Sequence, residues 1–250
     1  MNTWLSPEAT CSGGLLVITP TLNERDAVAA FADAVLACEP SAHILFVDDD
    51  SPDGTGAVLD QLAKQDVRVR VLHRTAERGL GGSYVDGFLW AIPRGYTRVI
   101  TMDADLSHDP YDIARLNAAV DEGADLAIGS RNVPGGRVEG WGLGRHLLSK
   151  GGSTYARELL ALPIRDVTSG FKLYTRRALI TLDPTTLRSN GYAFQIETLF
   201  RAWHRGLSMR EIPIVFTDRR VGQSKMSARI FLEAVLYVPR GLIRRKVGLL

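Results

Sequence analysis

The chain has 250 residues, of which 45% are hydrophobic and 23% charged, and its formal net charge is +2. These values are typical of a globular protein that buries a substantial core, and they exclude a disordered chain and a transmembrane bundle. Two cysteines cannot build a disulfide scaffold or a multi-cysteine zinc site, and with so small a net charge we expect no nucleic-acid partner.

Short apolar runs alternate along the chain with amphipathic stretches. The N-terminal residues 1–14 lack a long apolar core, so we expect a short flexible arm there. Five brief runs rich in Val, Ile and Leu have the pattern of strands buried on both faces: 15–19, 44–47, 69–72, 99–102 and 126–128. Apolar residues recur at helical spacing between them, and 212–216 is predicted to be a later strand. The alternation predicts an α/β fold with a mostly parallel sheet and helices on both faces.

Polar residues follow several of the predicted strands. An aspartate triplet around Asp49 ends the second strand, Asp103 and Asp105 follow the fourth, and Arg131 follows the fifth. In parallel α/β sheets, ligands bind outside the carboxyl ends of the strands. Carboxylates gathered at that edge would raise one another's pKa values unless a cation joined them.

Asp103 and Asp105 are one residue apart directly after a strand, so both carboxylates can reach one hard cation. Mg²⁺ and Mn²⁺ prefer oxygen ligands and are usually completed by water and substrate phosphates. The pair therefore predicts a site for one of these ions. Phosphohydrolases whose domain opens with a strand and Asp-x-Asp are the alternative, but three predicted strands precede the pair here.

Two other segments allow a structural and a functional interpretation. The turn after Asp49 contains Asp53, which we expect to cap the next helix. For Asp49 itself we expect a hydrogen bond to a nucleoside, because it lies on the same edge as Asp105. The glycine-rich segment 78–83 lacks the Gly-Lys-Ser/Thr end of a phosphate-binding P-loop, so we expect tight packing of a helix there.

Positive charge is concentrated in the last 32 residues, where eight basic residues and one acid give +7 and leave −5 for the rest of the chain. Phe231, Val235, Val238 and Leu242 form an apolar stripe at helical spacing, and four basic residues lie after Pro239. We predict that 226–250 is an amphipathic basic segment that binds a membrane surface. A helix packed on the main domain or on a partner subunit is the alternative.

Seven motifs also occur in a specific order: Pro20-Thr-Leu-Asn-Glu24, Val47-Asp-Asp-Asp-Ser-Pro-Asp-Gly-Thr55, Met102-Asp-Ala-Asp-Leu-Ser-His108, Gly129-Ser-Arg131, Thr168-Ser-Gly-Phe-Lys-Leu-Tyr174, Gly191-Tyr-Ala-Phe-Gln195 and Gly222-Gln-Ser-Lys225. With this set the chain resembles the family 2 inverting glycosyltransferases and, within them, the polyprenol (dolichol) phosphate mannose synthases. The resemblance implies a GT-A fold over 15–225, GDP-mannose as donor, Mg²⁺ or Mn²⁺ as cofactor, and a polyprenyl phosphate lipid as acceptor.

The resemblance also implies roles for individual positions. The donor would contact Pro20, Leu22, Glu24, Val47, Asp49, Asp103, Ala104, Asp105, Arg219 and Lys225. The acceptor phosphate would contact Arg131, Arg145 and Ser149, and the metal would contact Asp103, Asp105 and Ser107. Of these, Asp103, Asp105, Arg131 and Lys225 would be catalytic. Leu22 replaces the more usual aromatic residue, and Ser107 replaces a glutamine, which puts a weaker ligand at that position.

A phosphate acceptor changes what the protein must supply. Its second pKa is about 6, so the attacking oxygen is already an anion and needs no protein base. We therefore predict that Glu197 is not a catalytic base. Two alternatives stay open: the same fold acting on another nucleotide-sugar such as UDP-glucose, and a non-catalytic membrane-bound module that binds nucleotide. We expect a peripheral protein on the cytoplasmic face of a membrane, and a separate membrane-anchoring protein is left open.

Overall fold

The computed structural model describes residues 14–75, 79–218 and 237–239. Strands and helices alternate through it, as the apolar pattern predicts. The strands are β1 (Leu15–Thr21), β2 (His43–Asp48), β3 (Val69–His73), β4 (Arg98–Thr101), β5 (Leu126–Ser130), β6 (Arg137–Glu139), β7 (Lys172–Thr175), β8 (Met209–Pro213) and β9 (Val215–Thr217). The helices are α1 (Val28–Cys38), α2 (Thr55–Gln65), α3 (Leu80–Ala91), α4 (Asp112–Asp121), α5 (Leu143–Leu160), α6 (Arg176–Leu182) and α7 (Gly191–His204), with a short 3₁₀ helix, Pro184–Thr186, between the last two.

A seven-stranded sheet with the order β3-β2-β1-β4-β7-β5-β8 forms the centre of the domain. Neighbouring strands are parallel except that β7 runs antiparallel to both β4 and β5. The predicted mostly parallel sheet is confirmed. Lys172 of β7 pairs with Thr101 and with Ile128. The residues just before Lys172 therefore lie at the carboxyl ends of β4 and β5, where parallel sheets bind ligands.

Helices cover both faces of this sheet, which explains why its strands are apolar on both sides. Leu16 and Ile18 point into one buried cluster, which also contains Phe194 of α7. Val17, between them in β1, points into a second cluster with Phe31 of α1. Successive strand residues face opposite sides of a sheet, so the two clusters are its two covered faces.

The predicted strand at 212–216 is wrong in one respect, because the chain changes sheets within it. Pro213 ends β8 in the large sheet, and Val215 begins β9, which pairs with β6 in a separate two-stranded sheet. Ile214 is the switch point: its N–H donates to the Ser130 carbonyl, whereas its own carbonyl accepts from the Arg137 N–H. One residue thus bonds to both sheets, which an apolar run does not reveal.

The predicted membrane-binding segment 226–250 stays a prediction. No helix within the described residues combines the length and the apolar character needed to cross a bilayer. Tyr237 and Val238 lie in a short helical stretch and are buried in the cluster that contains Phe194. Val238, one of the four stripe residues, therefore packs on the main domain and does not face a lipid surface. Apart from 237–239, the segment 226–250 lies outside the described residues, as does 1–13.

Candidate active site

The carboxyl edge of the large sheet is shaped by left-handed residues after three neighbouring strands. Asn23, Asp50 and Leu106 follow β1, β2 and β4, and each has φ of 56°. Asn and Asp tolerate this conformation, but a leucine there costs roughly 1–2 kcal/mol. Leu106 follows Asp105 directly, so the backbone is strained beside the predicted metal ligands, as is common at functional sites.

Asp103 and Asp105 emerge where β4 ends, and both are partly exposed, whereas Ala104 between them is buried. The Tyr84 hydroxyl donates to Asp103 Oδ1 at 3.4 Å. The Ser107 N–H donates to Asp105 Oδ1 at 3.0 Å, which fixes the turn. Both carboxylates are thus held at the open edge of the sheet.

The side chains at this edge suit Mg²⁺ or Mn²⁺, which take some of their ligands from substrate and water. They do not suit a metal whose ligands all come from the protein. The described part of the chain contains no group of three or more His, Cys, Asp or Glu side chains that could hold a metal. Two carboxylates are enough for these ions, because substrate phosphates and water complete their shell. The buried Ser107 hydroxyl has no hydrogen-bond partner among the described residues, so it could add a weak third ligand.

The predicted donor-binding residues lie at the ends of β1 and β2. Pro20, Leu22 and Glu24 are partly exposed. The Glu24 N–H donates to Thr55 Oγ1 at 3.0 Å, so the loop after β1 is tied to the start of α2. Val47 has a fully buried side chain in the core, which leaves only its main chain for a donor contact.

The N-cap position of α2 is Gly54, one residue after the predicted Asp53, but the Asp53 side chain still binds the first helical residue. Its carboxylate accepts from the Thr55 N–H at 3.0 Å and from the Thr55 hydroxyl at 2.6 Å, at the first residue of α2. Its other oxygen accepts from the Arg25 N–H at 3.3 Å. The same carboxylate thus binds the start of α2 and holds the loop after β1, which carries the predicted donor contacts.

Asp49 is buried in an ion pair that its sequence context does not reveal. One oxygen accepts from Arg74 Nη1, and the other accepts from the Gly79 N–H at 2.6 Å. Arg74 also donates to Asp86 at 2.7 Å, so it lies between two acids. Each oxygen of Asp49 keeps capacity for another hydrogen bond, so a nucleoside contact stays a prediction. Arg74 comes directly after β3, and this position was the only indication in the sequence that it could pair with Asp49.

The glycine-rich segment serves packing, as predicted. A methyl group on Gly81 would lie 2.2 Å from the Ser189 carbonyl oxygen, and one on Gly82 would lie 2.5 Å from Arg74 Nη2. The Gly81 N–H donates to Asn190 Oδ1 at 2.8 Å. The glycines therefore let α3 approach the segment before α7, and Arg78 lies outside the described residues.

Arg131 is held by the fully buried Asp166 through two side-chain hydrogen bonds of 2.7 Å, from Nε and Nη2. Nη2 also donates to Thr168 Oγ1 at 3.0 Å. Burial opposes the charge of Arg131, but Asp166, with a smaller contribution from Asp103, outweighs it and raises the pKa. No acceptor for Nη1 is found in the described part of the chain, so this nitrogen can serve a ligand.

Arg145 and Ser149 extend the site along α5. Arg145 donates to both oxygens of Asp218, at 3.0 and 3.2 Å, and its guanidinium stacks 4.2 Å from the centre of the Trp141 ring. Ser149 lies four residues further along the same helix and is partly exposed. Asp218 precedes Arg219, and both Arg219 and Lys225 lie outside the described residues.

Glu197 is far more constrained than a catalytic base would be. It is fully buried in α7, where Oε1 accepts from Arg201 at 2.6 Å. Oε2 accepts from the N–H groups of Arg188 and Ser189, at 3.3 and 3.0 Å. The carboxylate therefore fixes the loop before α7 and is not aimed at the carboxyl edge, which supports the prediction made for it.

The sheet is mostly parallel, an Asp-x-Asp pair follows β4, and basic side chains lie at the same edge. Together these features define a glycosyltransferase of the GT-A fold. The comparisons agree with this class. The model of glycosyl transferase family 2 matches residues 16–183, and the chain belongs to that family.

Two relatives match over nearly the whole chain. Polyprenol monophosphomannose synthase of Mycolicibacterium smegmatis is 48% identical over 93% of this chain and 88% of its own length. Undecaprenyl-phosphate mannosyltransferase of Micrococcus luteus is 44% identical over 94% of this chain and 97% of its own. A solved structure, glucosyl-3-phosphoglycerate synthase of Mycobacterium tuberculosis with Mn²⁺, UDP and glucosyl-3-phosphoglycerate, has a TM-score of 0.67 and 18% identity over 93% of this chain and 79% of that one. This likeness supports the fold.

Proposed function

We propose that the protein transfers mannose from GDP-mannose to a polyprenyl phosphate with inversion, giving polyprenyl-phosphate-mannose. The observation that carries the proposal is the 48% identity over 93% of the chain to a polyprenol monophosphomannose synthase. The second relative, also named for mannosyl transfer to a polyprenyl phosphate, supports the same acceptor.

The charges at the carboxyl edge suit this reaction. Asp103 and Asp105 would hold the divalent ion, which neutralises charge on the departing diphosphate when bound. Arg131, with Nη1 left for a ligand, would hold the acceptor phosphate beside them, together with Arg145 and Ser149. These basic side chains reduce the repulsion between two anions that must approach closely.

The bonding changes need no protein base. An oxygen of the acceptor phosphate forms a bond to the anomeric carbon from the face opposite the leaving group, and the bond from that carbon to the diphosphate breaks. GDP leaves with the electron pair, so the anomeric configuration inverts. The attacking oxygen is already deprotonated near neutral pH, which agrees with the buried and fully bonded Glu197.

One assay separates the candidate functions. Purified protein is incubated with polyprenyl phosphate, Mg²⁺ or Mn²⁺, and radiolabelled GDP-mannose or UDP-glucose, and lipid-linked label is extracted. We expect label from GDP-mannose that disappears with EDTA. Label from UDP-glucose alone would favour the glucosyl alternative, and nucleotide binding without transfer of either sugar would favour the non-catalytic module.

We further propose that the segment 226–250 brings the protein to the cytoplasmic face of a membrane. Deleting this segment is a poor test, because Val238 is part of the core. Charge removal is sharper, and the test variant changes Arg244, Arg245 and Lys246 to Gln. The control changes three exposed arginines of the main domain to Gln: Arg137, Arg177 and Arg210.

Co-sedimentation with anionic vesicles measures the effect. The test variant should lose binding, and salt should weaken the binding of the wild type, because these charges act within a Debye length of about 8–10 Å. Equal losses in both variants would refute a specific role for the segment. Wild-type protein that stays in solution would instead favour a separate membrane-anchoring protein.

A further inference from the structure

Gly170 marks a place where two distant parts of the chain meet at the carboxyl edge. It is partly exposed, and it precedes β7. A methyl group built on it would lie 3.7 Å from both carboxylate oxygens of Asp103 and 3.7 Å from Gln195 Nε2. The Asp103 carboxylate and the Gln195 amide therefore border the same small space.

The orientation of the Gln195 amide is set by Lys172, which is fully buried beneath it. Lys172 Nζ donates to Gln195 Oε1 at 2.8 Å and to the Gln195 carbonyl at 3.1 Å. A lysine ammonium has donors only, so the amide atom facing it must be the oxygen. With Lys172 protonated, the amide oxygen therefore faces Nζ and the NH₂ group faces Gly170.

Lys172 is costly for stability, which makes a purely structural role a poor explanation. Its other hydrogen bond goes to the Thr198 hydroxyl at 3.2 Å, and no carboxylate among the described residues bonds to it. Burial lowers the pKa of Lys172 to about 7, although Asp166 opposes the shift. An apolar side chain of similar size would avoid this cost. The lysine instead fixes the orientation of the Gln195 side-chain amide.

No acceptor for Gln195 Nε2 is found among the described residues, although the side chain is almost fully buried. The Nε2 atom itself is not sealed from solvent, so this NH₂ group is open to a ligand in the space beside Gly170. It can only donate, and it is neutral. In a nucleotide-sugar the sugar is bonded directly to the diphosphate that Asp103 would help to bind, so a sugar hydroxyl oxygen is the matching group.

We propose that Gln195 donates a hydrogen bond to a hydroxyl of the transferred sugar in the space beside Gly170, and that Lys172 is the positioning residue for this contact. The inference rests on the proposed function, since it requires a nucleotide-sugar donor. It assigns recognition of the sugar, as distinct from the nucleotide and the acceptor phosphate, to residues that follow β5 in the chain.

Two variants test the contact with little disturbance of the fold. Gln195→Glu keeps an oxygen facing Lys172 but replaces the NH₂ donor with an acceptor. Gly170→Ala adds a methyl at ordinary contact distance, so it fills the space without forcing its neighbours to move. The matched controls are Gln61→Glu on the exposed side of α2 and Gly142→Ala, whose methyl would meet nothing within 4 Å.

Calorimetric titration with Mn²⁺ and either GDP or GDP-mannose gives the readout, because GDP lacks the sugar. Both test variants should lower the affinity for GDP-mannose by about tenfold, as expected for one lost hydrogen bond. They should change the affinity for GDP by less than about twofold. The controls should change neither. An unchanged ratio of GDP-mannose to GDP affinity in both test variants would overturn the proposal.

Lys172→Met tests the positioning role. Its melting temperature should equal or exceed that of the wild type, whereas its ratio of GDP-mannose to GDP affinity should fall as in Gln195→Glu. A wild-type ratio in Lys172→Met would refute the positioning role. If wild-type protein binds UDP-glucose but not GDP-mannose, the donor assignment fails. The affinity ratio of UDP-glucose to UDP in the same variants then tests the sugar contact.

Discussion

The buried pair of Arg131 and Asp166 allows a quantitative prediction. Both side chains are at most 7% exposed, and Asp166 accepts three hydrogen bonds from Arg131, two from its side chain and one from its N–H. Asp166→Asn removes the negative charge and turns an NH₂ group toward these donors. Breaking a buried pair by removing one partner costs about 3–5 kcal/mol. For a chain of this size, that lowers the melting temperature by roughly 10 °C.

The matched control is the exposed pair of Arg137 and Glu139, whose side chains are 62% and 49% exposed. Glu139→Gln should cost less than about 1 kcal/mol, because solvent screens such a pair. Urea unfolding, followed by circular dichroism, measures both variants. Similar small losses in Asp166→Asn and Glu139→Gln would refute the argument that burial gives the Arg131 pair its importance.

The same pair predicts how stability depends on pH. Burial raises the pKa of Asp166, but the charge and hydrogen bonds of Arg131 outweigh this and lower it below its usual range. A lowered carboxylate pKa contributes stability above the unfolded value of about 3.9 and loses it as the pH falls through the folded value. The difference between wild type and Asp166→Asn should therefore be constant near neutral pH and shrink below about pH 4.

Four further substitutions test single positions. Asp103→Asn should weaken GDP binding in the presence of Mn²⁺ and leave the metal-free protein as stable or slightly more stable, because a charge repulsion is reduced; thermal-shift titration measures both. Glu197→Gln should lower stability by about 1–3 kcal/mol but reduce kcat for mannosyl transfer by much less than the roughly 10²–10⁴-fold expected for a lost general base. Gly81→Ala should be strongly destabilising in urea unfolding, since its methyl would lie 2.2 Å from the Ser189 carbonyl oxygen. Gly151→Ala on the exposed side of α5 meets nothing within 4 Å and should stabilise by up to about 1 kcal/mol.

Each prediction has a contrary result. Full activity of the wild type in EDTA would contradict the metal role of Asp103. A loss of general-base size in Glu197→Gln with donor affinity intact, and with the acid limb of the pH profile gone, would mean that a protein base exists. Equal stability of Gly81→Ala and Gly151→Ala would show that α3 does not approach its neighbour as closely as the structure indicates.

The fold class and the general location of the site could both be predicted from the amino-acid pattern. Runs buried on both faces mark β1 to β5, because a strand covered by helices on both sides must be apolar throughout. Asp103 and Asp105 could be assigned to the carboxyl edge because they follow such a run directly. These inferences depend only on residues close together in the chain, which is why pattern and motif were sufficient for them.

Contacts between residues that are far apart in the chain could not be predicted in this way. Arg131 could be identified at a strand end, but nothing near it in sequence indicates that Asp166 neutralises it. Gln195 and Lys172 come together only because β7 is inserted antiparallel between β4 and β5, beneath α7. Val238 fits a membrane stripe by spacing and is buried in the core instead. Spacing shows that one side of a helix is apolar, whereas the surface that covers it depends on how the whole chain packs.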